Sequence, residues 1–180
     1  LVTEDALFDG ADEYIYDEDS MRVFKPYSIR DMGGAKVAVI GQAFPRVKIA
    51  NPARFVPDWS FDINGEMMQE LVDDLRQNKG VDAVIVLSHN GMDVDVAMAQ
   101  RVTGIDAILG GHTHDGMPAP TQVKNNGHTT LVCNVGSNGK FLGVLDLDIG
   151  KGKVKDFRYR LLPVFSELLP ANKDMAALIA

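Results

Sequence analysis

Three of the four histidines come directly after short apolar runs of strand length. His89 follows the run 81–87, and His112 and His114 follow the run 105–109 in the sequence Gly-Gly-His-Thr-His-Asp. Imidazole is a good ligand for transition metals, and two glycines allow a sharp backbone turn before the His-x-His pair. The pair favours a metal site, whereas His89 taken alone fits an ordinary surface position as well as a metal ligand.

A hydrolytic centre with two metal ions also needs carboxylates, one of which often bridges the ions. The spacing of the acidic residues does not identify them. We predict that Asp93 caps a helix and that Asp95 and Asp106 are solvated surface charges. Asp115 follows His114 and is either a support for a ligand or a turn residue. The histidines are therefore predicted to form part of a metal site.

The apolar runs predict the elements that bring these histidines together. Residues 81–87 and 105–109 are predicted strands, and 94–102 is a predicted helix between them. A strand, a helix and a strand of these lengths form a βαβ unit with parallel strands. Because ligands bind beyond the carboxyl ends of parallel strands, both histidine groups should lie at the same edge of the sheet.

The other elements indicate an α/β fold with a layered sheet-and-helix core. Glycines at 33–34 predict a hairpin between strands at 23–30 and 36–40, before an ordered loop at 42–62 and a helix at 63–78. Later strands are predicted at 131–135, 141–149 and 154–162, and a final helix at about 172. Residues 136–140 lack the spacing and the helix of a phosphate-binding P-loop, so we predict a tight turn there.

Composition and charge argue against two classes of partner. The chain has 18 Lys and Arg against 25 Asp and Glu, a net charge of −7, and no basic cluster that would suit nucleic acid. No segment reaches the roughly 18 apolar residues of a membrane helix, so no membrane partner is expected. Cys133 is predicted to be a buried strand residue, and His128, in an Asn-Asn-Gly-His turn, is predicted to be a surface residue.

The histidine motifs resemble the last two metal motifs of the calcineurin-like metallophosphoesterases. The first is Leu-Ser-His at 87–89, and the second is Gly-Gly-His-Thr-His at 110–114. The segment 136–148 is similar to the strand pair that follows these motifs in the 5′-nucleotidase branch of that superfamily.

Within that branch, the chain most resembles the SoxB-type thiosulfohydrolases. His114 and Asn138 support this, because the 5′-nucleotidases often have another residue in place of the second histidine and an aromatic residue in place of the asparagine. The segments that carry the resemblance are 37–45, 49–52, 56–59, 87–94, 110–115 and 136–142.

The resemblance implies a role for each matching residue. His89 and His112 would bind one metal ion and His114 the other, and the two ions would be Mn²⁺. Residues that would support these ligands or contact the substrate are Asn90, Asp115, Asn138 and Lys140. The family's Asp-x-His, Gly-Asp-x-x-Asp and Gly-Asn-His motifs do not occur in this sequence. We therefore expect the remaining ligands and the catalytic histidine to precede Leu1.

The sequence is accordingly predicted to be an internal part of a longer protein. It opens at Leu1 and stops within a helical pattern that has no cap. We predict an acidic loop or insertion at 1–22 and the carboxy-terminal part of a metallophosphoesterase domain at 23–163. Residues 164–180 would begin a linker helix to a further, substrate-binding domain. By itself, this partial domain is expected to be inactive.

The activity implied by the resemblance is the release of sulfate from a cysteine S-thiosulfonate. The cysteine would belong to the SoxYZ carrier protein, and the reaction would take place in the bacterial periplasm during sulfur oxidation. Two alternatives stay open. One is a 5′-nucleotidase or cyclic-nucleotide phosphodiesterase of the same branch, and the other is a non-catalytic module that binds metal or a carrier.

Overall fold

A six-stranded mixed sheet forms the centre of the molecule in the computed structural model, which describes residues 25–55, 61, 63–168 and 170–179. In chain order, the sheet contains β1 (Tyr27–Met32), β2 (Ala35–Gln42), β3 (Ala83–Ser88), β4 (Ala107–Gly110), β5 (Thr121–Asn125) and β6 (His128–Asn134). The spatial order is β1-β2-β3-β4-β6-β5. The predicted acidic segment 1–22 lies outside the described residues.

The four inner strands are parallel, and the two edge strands are antiparallel to their neighbours. Between β3 and β4 the chain forms helix α3 (Met92–Arg101), so the predicted βαβ unit is confirmed. The carboxyl ends of β2, β3, β4 and β6 therefore lie at one edge of the sheet.

The helices include short α1 (Val47–Ala50), α2 (Gly65–Gln77), α3 and the terminal α4 (Lys173–Ile179). Single 3₁₀ turns occur at Ala53–Phe55 and Ser166–Leu168. The side chain of Asn64 caps α2 by accepting hydrogen bonds from the amides of Glu66 and Met67. Within the predicted loop 42–62, the described part thus contains α1 and a 3₁₀ turn, and residues 56–60 and 62 lie outside the described residues.

The hydrophobic core lies between one face of the sheet and the helices α2 and α3. The helices contribute Met68, Val72, Leu75, Met98, Ala99 and Val102, and the strands contribute Ala38, Ile40, Val84, Val86, Ile108 and Val132. Each large aliphatic side chain that is fully buried in this way contributes about 1.5–3 kcal/mol. This packing fixes the strand ends from which the histidine segments emerge.

The opposite face of the sheet is only partly covered. Strands β7 (Phe141–Ile149) and β8 (Val154–Pro163) form a separate antiparallel pair. An apolar groove between the two sheets is lined by residues that include Ile85, Leu87 and Leu109. Two of these residues remain open to solvent: Leu87 is 49% exposed and Leu109 is 37% exposed. None of the described helices is long and apolar enough to cross a membrane.

The structure differs from the sequence predictions at several positions. Strand β5 was not predicted, although Asn126 and Gly127, both with positive φ, form the Asn-Gly turn that is typical of a hairpin. Helix α3 begins at Met92 with Gly91 at its N-cap, so Asp93 is not the cap. Asp95 and Asp106 are 0% and 3% exposed, so neither is a solvated surface charge.

Candidate metal centre

His89 lies immediately beyond the end of β3. Its amide donates a hydrogen bond to the carbonyl oxygen of Gln42, the last residue of the neighbouring parallel strand, at 3.1 Å. This bond continues the pairing of β2 with β3 by one residue and fixes the backbone at the point where the imidazole leaves the sheet. The side chain of His89 is exposed at the carboxyl edge.

The second histidine segment follows β4 in an unusual backbone conformation. His112 and His114 have φ angles of 77° and 59°, in the left-handed region that non-glycine residues rarely adopt. Each such residue costs of order 1–3 kcal/mol and persists only where the surrounding structure enforces it. Thr113 lies between them, and its hydroxyl oxygen accepts a hydrogen bond from the amide of Met92 at 3.2 Å. The start of α3 therefore helps to hold this conformation.

The structure brings His89 and His112 together. Their ring centroids are 5.2 Å apart, and the ring planes are inclined at 67°. With metal–nitrogen bonds of about 2.1 Å, two imidazoles that share one ion have ring centroids roughly 5 Å apart. The two rings therefore fit adjacent ligands of a single ion. His114 is exposed on the same segment, two residues after His112, and the ring contacts between described residues do not include it.

Phe44 is an additional component of this site that the sequence analysis did not identify. Its ring centroid is 4.3 Å from that of His112 and 6.1 Å from that of His89. Phe44 follows the carboxyl end of β2, the parallel neighbour of β3. Its position after a parallel strand was the signal that could have identified it, although the aromatic-rich segment around it has no regular period.

Asp115 supports the histidine segment through Thr113. The Thr113 hydroxyl donates to the Asp115 carboxylate, and the Asn134 side-chain amide donates to the same hydroxyl oxygen at 3.4 Å. The Asp115 carbonyl also accepts a hydrogen bond from Gly136 at 2.7 Å. Asp115 therefore accepts a hydrogen bond from the residue between the two histidines, and its role as a support for a ligand stays a prediction.

A buried polar network lies beneath the two histidine segments. Asp95, in the first turn of α3, accepts hydrogen bonds from the hydroxyl of Ser88 and from the side-chain amide of Asn90 at 3.1 Å. Burial raises the pKa of Asp95, and the two hydrogen bonds oppose that shift. Asp95 lies on the buried side of α3 with Met98 and Ala99, a placement that the local sequence pattern does not reveal.

Asp106 occupies the opposite end of the sheet. It pairs with Arg76 and accepts a hydrogen bond from the amide of Val84 at 2.7 Å. Burial raises its pKa, and the nearby Arg76 charge opposes that shift. His128 is also at this end, half-buried, with Nε2 2.9 Å from the carbonyl oxygen of Ile105 and 3.5 Å from the Asp106 carboxylate. His128 is therefore a packed residue far from the other histidines, not a plain surface residue.

The remaining predicted residues have varied positions. Asn90 is 4% exposed and belongs to the buried network. Asn138 and Lys140 are exposed in the turn after β6, where Asn138 has a φ of 57°, and the described contacts do not connect either with the histidines. Cys133 is 2% exposed in β6, as predicted, and burial raises the pKa of its thiol to about 11.

The described histidines fit an incomplete set of ligands for a metal centre. The described residues contain no group of three or more His, Cys, Asp or Glu side chains that could hold an ion. Among the described residues, the candidate ligands are the neighbouring imidazoles of His89 and His112, together with His114, which like His112 has a left-handed backbone conformation.

No protein-family model matches the chain. Comparison with curated proteins does find relatives, which include nucleotidases and a nucleotide phosphoesterase. The chain is 33% identical over 68% of its length to the trifunctional nucleotide phosphoesterase protein YfkN of Bacillus subtilis. It is 30% identical over 73% to a 5′-nucleotidase of Diplobatis ommata, and 28% identical over 79% to protein UshA of Yersinia enterocolitica. The chain spans only 8%, 25% and 30% of these relatives.

Solved structures share the fold over most of the chain. The sulfate thiohydrolase SoxB of Thermus thermophilus matches with a TM-score of 0.78 and 39% identity, over 87% of this chain and 28% of that one. A 5′-nucleotidase precursor of Thermus thermophilus matches with a TM-score of 0.74 and 30% identity, over 87% of this chain and 33% of that one. These relatives and structural neighbours place the chain in the 5′-nucleotidase and calcineurin-like phosphoesterase family.

Proposed function

We propose that the protein containing this chain is a metal-dependent hydrolase with two metal ions. His89 and His112 bind one ion, and His114 binds the other. The observation that carries the proposal is the convergence of the His89 and His112 rings, 5.2 Å apart, at the carboxyl edge of the parallel sheet. The other ligands come from parts of the protein outside this sequence.

The proposed reaction is hydrolysis of a cysteine S-thiosulfonate on the SoxYZ carrier, with release of sulfate. In support, the chain is 39% identical to the SoxB structure and 30% identical to the 5′-nucleotidase structure over the same 87% of its length. His114 and Asn138 also follow the SoxB pattern. By the same resemblance, the two ions are Mn²⁺ and the protein works in the bacterial periplasm.

The residues of this chain act by binding and orientation. Divalent cations held by His89, His112 and His114 would neutralise anionic oxygens of the substrate and would lower the pKa of bound water toward about 7. The rings of His89 and His112 lie next to each other, with their centroids 5.2 Å apart, and the ring of Phe44 packs on that of His112 at 4.3 Å. The Thr113 hydroxyl, bonded to Asp115, fixes the backbone between His112 and His114. The histidines therefore serve as ligands and not as general bases.

A second candidate is hydrolysis of nucleotides. The curated relatives at 28–33% identity include a 5′-nucleotidase and a nucleotide phosphoesterase. The same pair of ions would neutralise a phosphate as it would a sulfone, so the histidines alone do not discriminate between the two substrates. A non-catalytic module that binds metal or a carrier is the third alternative.

The test uses the full-length protein that contains this sequence. Sulfate release from thiosulfonated SoxYZ and phosphate release from AMP are measured with Mn²⁺ in the wild type and in His112→Ala. His128→Ala is the matched control, because it removes a histidine at the other end of the sheet. Sulfate release that is lost in His112→Ala and retained in His128→Ala is the expected result.

Three outcomes would change the proposal. Phosphate release without sulfate release would establish the nucleotide-hydrolysing alternative. Metal binding without turnover of either substrate would favour the non-catalytic module. Wild-type turnover in His112→Ala would contradict the assignment of the metal site itself.

A further inference from the structure

Asp95 is the most deeply buried acidic residue near the histidine segments. It is 0% exposed in the first turn of α3 and is surrounded by residues of the two segments that carry the ligands. Its Oδ1 accepts from the Ser88 hydroxyl and from the Asn90 side-chain amide, which flank His89 on either side. The backbone amide of Asn90 donates to the Ser88 hydroxyl oxygen at 3.1 Å, so both residues that flank His89 are held together beside this carboxylate.

The other oxygen of Asp95 faces the second histidine segment. A Cβ added at Gly110 would lie 2.5 Å from Oδ2 of Asp95, a distance that requires something to move. Gly110 is the last residue of β4 and comes two positions before His112. A glycine there lets the carboxylate lie directly against the backbone that leads to the second ligand. One side chain thus contacts both histidine segments.

The surroundings of Asp95 do not suggest a role in stability alone. Among the described residues, Oδ2 of Asp95 has no hydrogen-bond partner and the carboxylate has no ion-pair partner. Burying a carboxylate without a cation costs free energy that two hydrogen bonds offset only in part. The buried Asp106 differs, because it pairs with Arg76.

We infer that Asp95 is a positioning residue for the metal centre. Its hydrogen bonds with Ser88 and Asn90 hold the backbone on both sides of His89. Its packing against Gly110 positions the backbone that leads to His112. The inference rests on the proposed function, since the histidines must be ligands for their placement to matter. Residues that orient metal ligands typically change metal affinity by about 10- to 100-fold when they are removed.

The test measures Mn²⁺ affinity by calorimetry on the metal-depleted full-length protein, together with the unfolding midpoint. Asp95→Ala should weaken Mn²⁺ binding by about 10- to 100-fold. Asp95→Asn keeps an oxygen acceptor for Ser88 and Asn90 and should recover most of the affinity. Asp106→Ala is the control, since it removes a buried carboxylate at the other end of the sheet. It should lower the midpoint and leave the affinity unchanged.

Ser88→Ala provides a milder variant if Asp95→Ala does not fold. It removes one hydrogen bond to Asp95 and should weaken Mn²⁺ binding to a smaller extent. Wild-type affinity in Asp95→Ala, or in Ser88→Ala when that is the variant that folds, would refute the positioning role. Equal losses of affinity in Asp95→Ala and Asp106→Ala would refute it too. Absence of Mn²⁺ binding in the wild type would instead refute the proposed metal centre.

Discussion

At the scale of single residues, Phe44 limits the freedom of the His112 imidazole. The two ring centroids are 4.3 Å apart, close enough for the tilted rings to be in contact. A histidine ring on an exposed loop otherwise loses rotamer entropy when it binds an ion. An aromatic neighbour that already restricts the ring reduces that cost and so favours metal binding.

We expect Phe44→Ala to weaken Mn²⁺ binding by about 2- to 10-fold, which corresponds to the roughly 0.5–1.5 kcal/mol of an aromatic pair. Phe55→Ala is the matched control, because Phe55 is 59% exposed and contacts Arg54 instead. Calorimetric titration of both variants in the full-length protein measures the difference. Equal affinities in the two variants would mean that Phe44 does not restrain His112.

At the scale of elements, the start of α3 packs closely against the second histidine segment at Gly91. Gly91 has a φ of 101°, and a Cβ there would lie 2.9 Å from Cγ2 of Thr113. The amide of Met92 also donates a hydrogen bond to the Thr113 hydroxyl oxygen, so the helix start contacts the residue that separates His112 from His114. The helix thus contributes to the site although none of its residues is a proposed ligand.

Gly91→Ala should lower stability by about 1–3 kcal/mol through backbone strain and should also weaken Mn²⁺ binding, because the methyl group displaces Thr113. Gly34→Ala provides the control. Its φ is 84°, and an added Cβ there would meet no atom within 4 Å. It should lower the unfolding midpoint without a change in affinity. If both variants bind Mn²⁺ as tightly as the wild type, the contact with Thr113 has no role in the site.

The elements that the sequence predicted well are those with long apolar runs or clear stop signals. Strands β3 and β4 and the helix between them were predicted because each run is continuous and strand-length or helix-length. Strand β5 was missed because only Val123 in it is buried. The burial of Asp95 and Asp106 could not be predicted from the residue pattern. Asp95 contacts Ser88 and Asn90 only because α3 packs beside the end of β3, and Asp106 pairs with Arg76, which lies 30 residues away in the sequence.

At the scale of the whole molecule, the described chain holds two rings of a metal centre together but not a full set of ligands. A transition-metal site of this kind needs at least three protein ligands, and two-ion hydrolases need carboxylates as well. Two described acidic residues of the histidine segments and of the helix beside them, Asp95 and Asp115, are engaged by Ser88, Asn90 and Thr113. The 180-residue chain alone should therefore bind Mn²⁺ more weakly than the full-length protein and should hydrolyse neither substrate.

The comparison requires the isolated chain and the full-length protein under the same conditions. Sulfate release, phosphate release and Mn²⁺ affinity are measured for both, and circular dichroism establishes whether the isolated chain is folded. A folded chain without turnover, beside an active full-length protein, would show that the ligands beyond these three histidines are required. Turnover by the isolated chain that disappears in His112→Ala would mean that residues of this chain other than the three histidines, or water, complete the centre. The division of the ligands between this chain and the rest of the protein would then be wrong.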